Sequence, residues 1–276
     1  MTNQTVPEHL GTFDLPGNSP GVLLIHGFTG DTSEMRALAD QINREIGLAC
    51  YAPILPGHGL PPSALLGITD DDWLAAVRHA YDTMQQRHGM VIVVAFSMGA
   101  AVSAVMLSTV QALAFVAISP MITTRLPLIP FTPWISRLMP WIYPLRLVSI
   151  NAFGLRERLL HFDPTLDLED PHVLARLRTE VRVPVAIAEA LRNAAHRAIL
   201  AAPVIQMPTL VVQGESDLTL SPHGARKFFQ ALAAKDKTFV TFPGADHDFV
   251  RVNRPGNDVL LSTVSGWIRQ RLEQQV

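Results

Sequence analysis

Apolar, β-branched runs recur along the chain, separated by segments with helical periodicity. Gly21–Gly27 (GVLLIHG) predicts a first strand. The segment that follows places Met35, Leu38, Ala39, Ile42 and Ile46 on one helical face, with Asp31, Thr32 or Ser33 as N-cap and Gly47 as stop. Leu48–Leu55 (LACYAPIL) reads as the next strand. TDDDWLAAVRHAYDTMQQRHG reads as a helix capped by Thr69 or Asp70, with acids in its first turn, where the helix dipole favours them. No residue from Gly89 to Thr124 is charged. That run is long enough for a membrane span. It divides, however, into MVIVVAF, a small-residue turn, GAAVSAVMLSTV and ALAFVAIS, which is strand, helix, strand, as a buried βαβ unit requires. Downstream, Thr209–Asp217 and Lys237–Asp248 carry two more strands, with the helix SPHGARKFFQALAAK between them and an amphipathic helix closing the chain.

This alternation predicts an α/β fold, a mostly parallel central sheet flanked by helices on both faces. Residues 120–208 break the rhythm. A Pro-, Trp- and Ile-rich stretch is followed by two helical patterns, DPHVLARLRTEV and PVAIAEALRNAAHRAILAA. The span is too long for a plain loop and reads as a helical cap on a core formed by 1–119 and 209–276.

Composition agrees with a large core: 48% of residues are hydrophobic and 17% charged. A net charge of −2 with scattered Lys and Arg gives no case for nucleic acid or an anionic membrane surface. Cys50, the single cysteine, reads as a buried packing residue, and a reducing cytoplasm suits a chain without disulfides. The N-terminal segment lacks the basic and apolar regions of a signal peptide.

Ligands in open α/β sheets gather at the carboxyl ends of the strands, and four candidate segments fall there. Ser97, in VIVVAFSMGA, sits where a strand turns into a helix; such a turn holds a serine outward, provided its neighbours two before and two after are small. Gly99 meets this demand, and Ala95 adds one methyl to the usual Gly-x-Ser-x-Gly. HGFTG (His26–Gly30) is a glycine-containing turn whose Phe28 amide, with that of Met98, suits an oxyanion. His26 reads as structural. Asp217 in GESD, preferred over Glu215 because it lies farther along the loop, can orient a histidine. His247 in GADHD is the candidate base; its flanking Asp246 and Asp248 have no second histidine at ligand spacing, so no metal is expected. The order Ser97, Asp217, His247 is that of α/β-hydrolases.

LLIHGFTG, PGHG (Pro56–Gly59), FSMGA, GESD and DHD together make the chain resemble α/β-hydrolases of the carboxylesterase and monoacylglycerol lipase type. The departures are Ala95 for glycine and Phe96 where the family often has His or Leu. His58 matches the family and reads as a loop residue near the site rim. The resemblance implies that fold, with its cap inserted after the sixth strand of the family's sheet, and hydrolysis of monoacylglycerols or short-to-medium acyl esters through an acyl-enzyme, without a cofactor. Ile129, Phe131, Trp134, Leu138 and Trp141 are candidates for an acyl pocket in the cap. Aminopeptidase, thioesterase or acyltransferase chemistry on the same triad stays open, as does a non-enzymatic binding role. An aminopeptidase would need carboxylates for its substrate's amine, and Glu157, Asp163, Asp167, Glu169 and Asp170 are available. The sequence predicts neither nucleic acid nor a transmembrane segment, and leaves the oligomeric state open.

Overall fold

The structure is a computed structural model that describes residues 6–123, 136, 138–150 and 155–274. Seven strands form the main sheet: β1 (Phe13–Leu15), β2 (Asn18–Ile25), β3 (Leu48–Ala52), β4 (Val91–Phe96), β5 (Ala114–Ile118), β8 (Thr209–Gly214) and β9 (Lys237–Phe242). Their spatial order is β1-β3-β2-β4-β5-β8-β9. Only β1, paired with β3, runs antiparallel. This short edge strand was not anticipated, because three residues carry too little alternation to register.

Strand alternation divides the core in two. Leu23, Ile25, Val93, Ala95, Phe115, Ala117 and Val211 face a layer made of α2 (Asp70–His88), α3 (Met98–Leu107), α7 (Ile187–Ala201) and α8 (Pro222–Ala231). Val22, Leu24, Ile92, Val94, Phe96, Val116 and Val212 face α1 (Ser33–Ile46) and α9 (Asn257–Glu273). The uncharged stretch from Gly89 is therefore β4, α3 and β5, and α3 is buried on nearly every side. Among the described residues no helix is long and apolar enough to cross a membrane.

Local chemistry sets the helix ends. Thr69 and Asp72 form a reciprocal capping box at α2, a device typically worth ~1 kcal/mol. At α1 the carboxylate of Asp31 accepts the Ser33 N–H at 2.9 Å, and Gly47 closes the helix with φ 81°. Cys50 is buried in β3, and burial, reinforced by Asp40, pushes its thiol up to about 12.

The 120–208 span follows β5 and is not uniform. A two-stranded ribbon joins β6 (Trp141–Ile142) to β7 (Val183–Pro184). The short helix α4 (Pro144–Leu147) and helix α6 (Pro171–Glu180) share a small apolar cluster of Leu145, Leu168 and Leu177, against which Leu155 and Leu159 of α5 (Leu155–Phe162) pack. Helix α7 instead buries Ala190, Leu191, Ala194 and Ala198 in the main core beside α3. Arg197 ties it to the start of α2 through Asp70 and Asp71, each at 2.7 Å. By packing, α7 goes with the sheet rather than with the ribbon and its cluster.

Candidate active site

Ser97, Asp217 and His247 lie just beyond β4, β8 and β9, at the carboxyl ends of the parallel strands. Ser97 has φ 53° and ψ −117°, a backbone state that costs a non-glycine residue about 1–3 kcal/mol and persists only when its surroundings fix it. They do so here. Its N–H donates to Ile118 O at 2.9 Å, and its carbonyl accepts from Ala100 and Met121, both at 3.1 Å. The crossing of strand and helix is close. A Cβ built on Gly99 would stand 2.4 Å from the carbonyl oxygen of His26, so position 99 has no room for a side chain.

Ala95 pairs with Ile25 on one side and Ala117 on the other, and lies buried under the α3 layer. With small Ala117 beside it, the extra methyl is accommodated. Ala95→Gly is expected to leave the activity proposed below within about tenfold, since ~1.4 kcal/mol is the most that methyl should contribute to a barrier. Steady-state kinetics on the variant check this.

The Ser97 Oγ stands 3.1 Å from His247 Nε2, and His247 Nδ1 stands 2.7 Å from Asp217 Oδ2. Because a carboxylate only accepts, Nδ1 carries the proton and Nε2 is left to accept the serine O–H. All three residues are buried. Asp217 accepts four hydrogen bonds: Oδ2 from His247 and from Gln213 Nε2 (3.0 Å), Oδ1 from the backbone N–H groups of Thr219 (2.9 Å) and Leu220 (2.8 Å). Burial opposes ionisation of this carboxyl. The hydrogen bond and charge of His247, then the Leu220 N–H and Gln213, outweigh it and hold Asp217 below the usual carboxylate range. Phe96 lies against the histidine, ring centres 5.0 Å apart. Gln213 had not been singled out in the sequence, and Phe96 only as a departure from the family pattern. A glutamine ending the apolar run TLVVQ was the available signal for the first.

The His26–Gly30 turn flanks the serine. A Cβ on Gly27 would come within 2.9 Å of the Phe96 ring and 3.2 Å of Ser97 Cβ. His26 Nδ1–H donates to Gly27 O (2.9 Å), and its Nε2 accepts the Leu55 N–H (3.0 Å). Both nitrogens are engaged in the neutral form, and burial lowers the imidazole pKa to about 4. The Gly27 carbonyl also accepts the Gly30 N–H at 3.3 Å. Since a trans peptide directs its N–H opposite its C=O, the Phe28 N–H points away from these two donors. Met98 opens α3, so its N–H has no carbonyl partner within the helix. His58 donates from Nδ1 to Pro56 O at 3.0 Å; burial, then neighbouring His26, lower its pKa to about 3.

The remaining candidates are spread over the insertion. Ile129, Phe131 and Trp134 lie outside the described residues. Leu138 is 87% exposed, and Trp141 carries the Arg182 guanidinium 4.3 Å above its ring. Several of the acids are locally engaged: Glu169 with Arg156, Asp163 with Thr165, Asp170 capping α6, and Asp167 accepting the Glu169 N–H.

The sheet order and flanking helices are those of an α/β-hydrolase, and solved structures agree. One of the metagenome-derived lipolytic enzymes LipS and LipT superposes with a TM-score of 0.78 at 20% identity, over 96% of this chain and 100% of that one. The Paleococcus ferrophilus monoacylglycerol lipase does so at 0.70 and 19%, over 94% and 98%. Residues 18–251 match the family described as serine aminopeptidase, S33, and the chain belongs to that family. The carboxylesterase of Bacillus subtilis (strain 168) is 40% identical over 73 residues, 26% of this chain and 29% of that protein. The thermostable monoacylglycerol lipase of Bacillus sp. (strain H-257) is 40% identical over 83 residues, 30% and 33%. The matched segments thus span a third or less of these relatives' length.

Proposed function

We propose that the chain is a serine hydrolase of carboxylic esters that works through an acyl-enzyme. His247 Nε2 takes the Ser97 proton as Oγ attacks the acyl carbonyl. The N–H groups of Phe28 and Met98 stabilise the tetrahedral oxyanion. Asp217 holds the histidine's tautomer and balances the imidazolium. His247 then protonates the leaving alcohol, and water repeats the sequence on the acyl-enzyme. The observation that carries this reading is the continuous hydrogen-bonded run from Ser97 through His247 to Asp217.

The substrate class we favour is monoacylglycerols or short-to-medium acyl esters, with the acyl chain seated against the apolar cap, including Leu138 and Trp141. The curated relatives, a carboxylesterase and a monoacylglycerol lipase, support esters. The family's description, serine aminopeptidase, supports a second reading. Against it, Asp163, Asp167, Glu169 and Asp170 serve turns, a cap and an ion pair within the insertion instead of standing ready for an amine.

A panel of p-nitrophenyl esters and monoacylglycerols of graded chain length, run beside aminoacyl p-nitroanilides, separates the two. The expected result is ester turnover with an optimum at short to medium chains. Faster turnover of the anilides would establish the aminopeptidase reading instead.

A further inference from the structure

We propose that Glu34 and Arg251 are a positioning pair that locks the oxyanion turn to the loop carrying the catalytic histidine; the inference rests on the ester hydrolase reading above. Glu34 stands in the first turn of α1, where an acid complements the helix dipole equally well from solvent. Here it is buried instead, only 3% exposed. A carboxylate removed from water is costly unless each oxygen finds a donor, and both do. Oε2 accepts the Gly27 N–H at 3.0 Å, and Oε1 pairs with the Arg251 guanidinium at 2.5 Å. The carboxylate also fills the space beside Gly30, where a Cβ would lie 2.2 Å from it.

Arg251 comes four residues after His247, and its own N–H closes a turn onto Asp248 O at 2.9 Å. Its guanidinium faces Glu34, Asp248 and Asp31. Asn257 holds the same loop through Phe249 O and Val250 O. The contacts therefore run unbroken from the peptide that presents the Phe28 N–H, through Gly27, Glu34 and Arg251, to the loop that presents His247. His26 and Gly30 fix the peptide following Gly27; Glu34 fixes the one preceding it. The pair touches neither substrate nor the reacting atoms. It acts by keeping the oxyanion donor and the base in register, and displacement of such a donor by about 1 Å typically costs on the order of 100-fold in rate.

The test uses the full chain with Glu34→Gln, Arg251→Met, the double variant and Arg251→Lys. Each is assayed on p-nitrophenyl butyrate and for inhibition by an alkyl trifluoromethyl ketone, whose serine adduct carries an oxyanion. Glu34→Gln keeps an acceptor for Gly27 but turns its NH2 toward the Arg251 guanidinium, so it loses the ion pair and sets donor against donor; the double variant removes that clash and leaves the Asp31 carboxylate with the Ser33 N–H that it already accepts. The expected result for each single variant and for the double is kcat down about 10- to 100-fold, KM within about threefold, and ketone affinity falling in parallel. The double should be no worse than the poorer single, because the two residues act as a unit. Arg251→Lys, which keeps the charge, should recover most of kcat. Folded variants with wild-type kcat, or with changes confined to KM or melting temperature, would overturn the pair's role alone. A wild-type protein that turns over no ester would overturn the ester hydrolase reading and the pair's role with it.

Discussion

Ser97→Ala is expected to lower kcat/KM for p-nitrophenyl butyrate by about 10⁴-fold or more, and to abolish labelling by a fluorophosphonate, while leaving the protein folded. The rate loss follows from the proposed covalent step. Without Oγ there is no acyl-enzyme, and what remains is water attack assisted by the oxyanion donors and by binding. Removal of a serine nucleophile elsewhere costs up to about 10⁶-fold. The fold should survive because the Ser97 hydroxyl makes no hydrogen bond beyond that to His247 among the described residues, whereas the backbone of residue 97 makes several. Its N–H to Ile118 and its carbonyl to Ala100 and Met121 are indifferent to the side chain. Alanine suffers the same positive-φ penalty as serine, so the melting temperature should move by only a few degrees. Turnover at the wild-type rate in a folded Ser97→Ala protein would mean that Ser97 is not the nucleophile.

The sheet was legible because burial on both faces writes long apolar runs with β-branched residues, and because a chain with no charge from Gly89 to Thr124 can be read as buried βαβ as well as membrane. Strand ends came out longer in the sequence reading than in the structure. Leu48–Leu55, for instance, ends as a strand at Ala52, because the apolar pattern continues into a buried turn. The assembly of Ser97, Asp217 and His247 was legible through their order and their common place after strands, even though Ala95 breaks the usual motif. What escaped the sequence is what only three dimensions join. Glu34 and Arg251 are 217 positions apart, and each alone reads as a solvated charge. Gln213 is a single polar residue at the end of an apolar strand, meaningful only once Asp217 folds back over it. Helix α7 reads locally like its neighbours in the insertion; only its small alanine face, packed on α3, assigns it to the core.

Asp217→Asn is expected to reduce kcat by about 10⁴-fold with little change in KM or stability. The side chain keeps its shape, so the effect comes from which atoms can accept. Oδ1 receives two backbone N–H groups, from Thr219 and Leu220, and these donors cannot reverse. The asparagine must therefore turn its carbonyl oxygen toward them, since an NH2 there would set donor against donor in a buried site. Its NH2 then occupies the place of Oδ2, facing Gln213 and His247. Gln213 can adapt by rotating its amide to offer the Oε1 that has no hydrogen-bond partner among the described residues, giving up the bond from its Nε2 to Gly214 O. His247 can adapt only by shifting its proton from Nδ1 to Nε2, so that Nδ1 accepts. That tautomer points an N–H at Ser97 Oγ and cannot take the serine's proton. On the proposed mechanism the variant would then be folded, able to bind ester, and unable to activate Ser97, a combination that kcat and KM measured together with a thermal melt would reveal. A variant retaining more than about a tenth of wild-type kcat would show that Asp217 does not set the tautomer of His247.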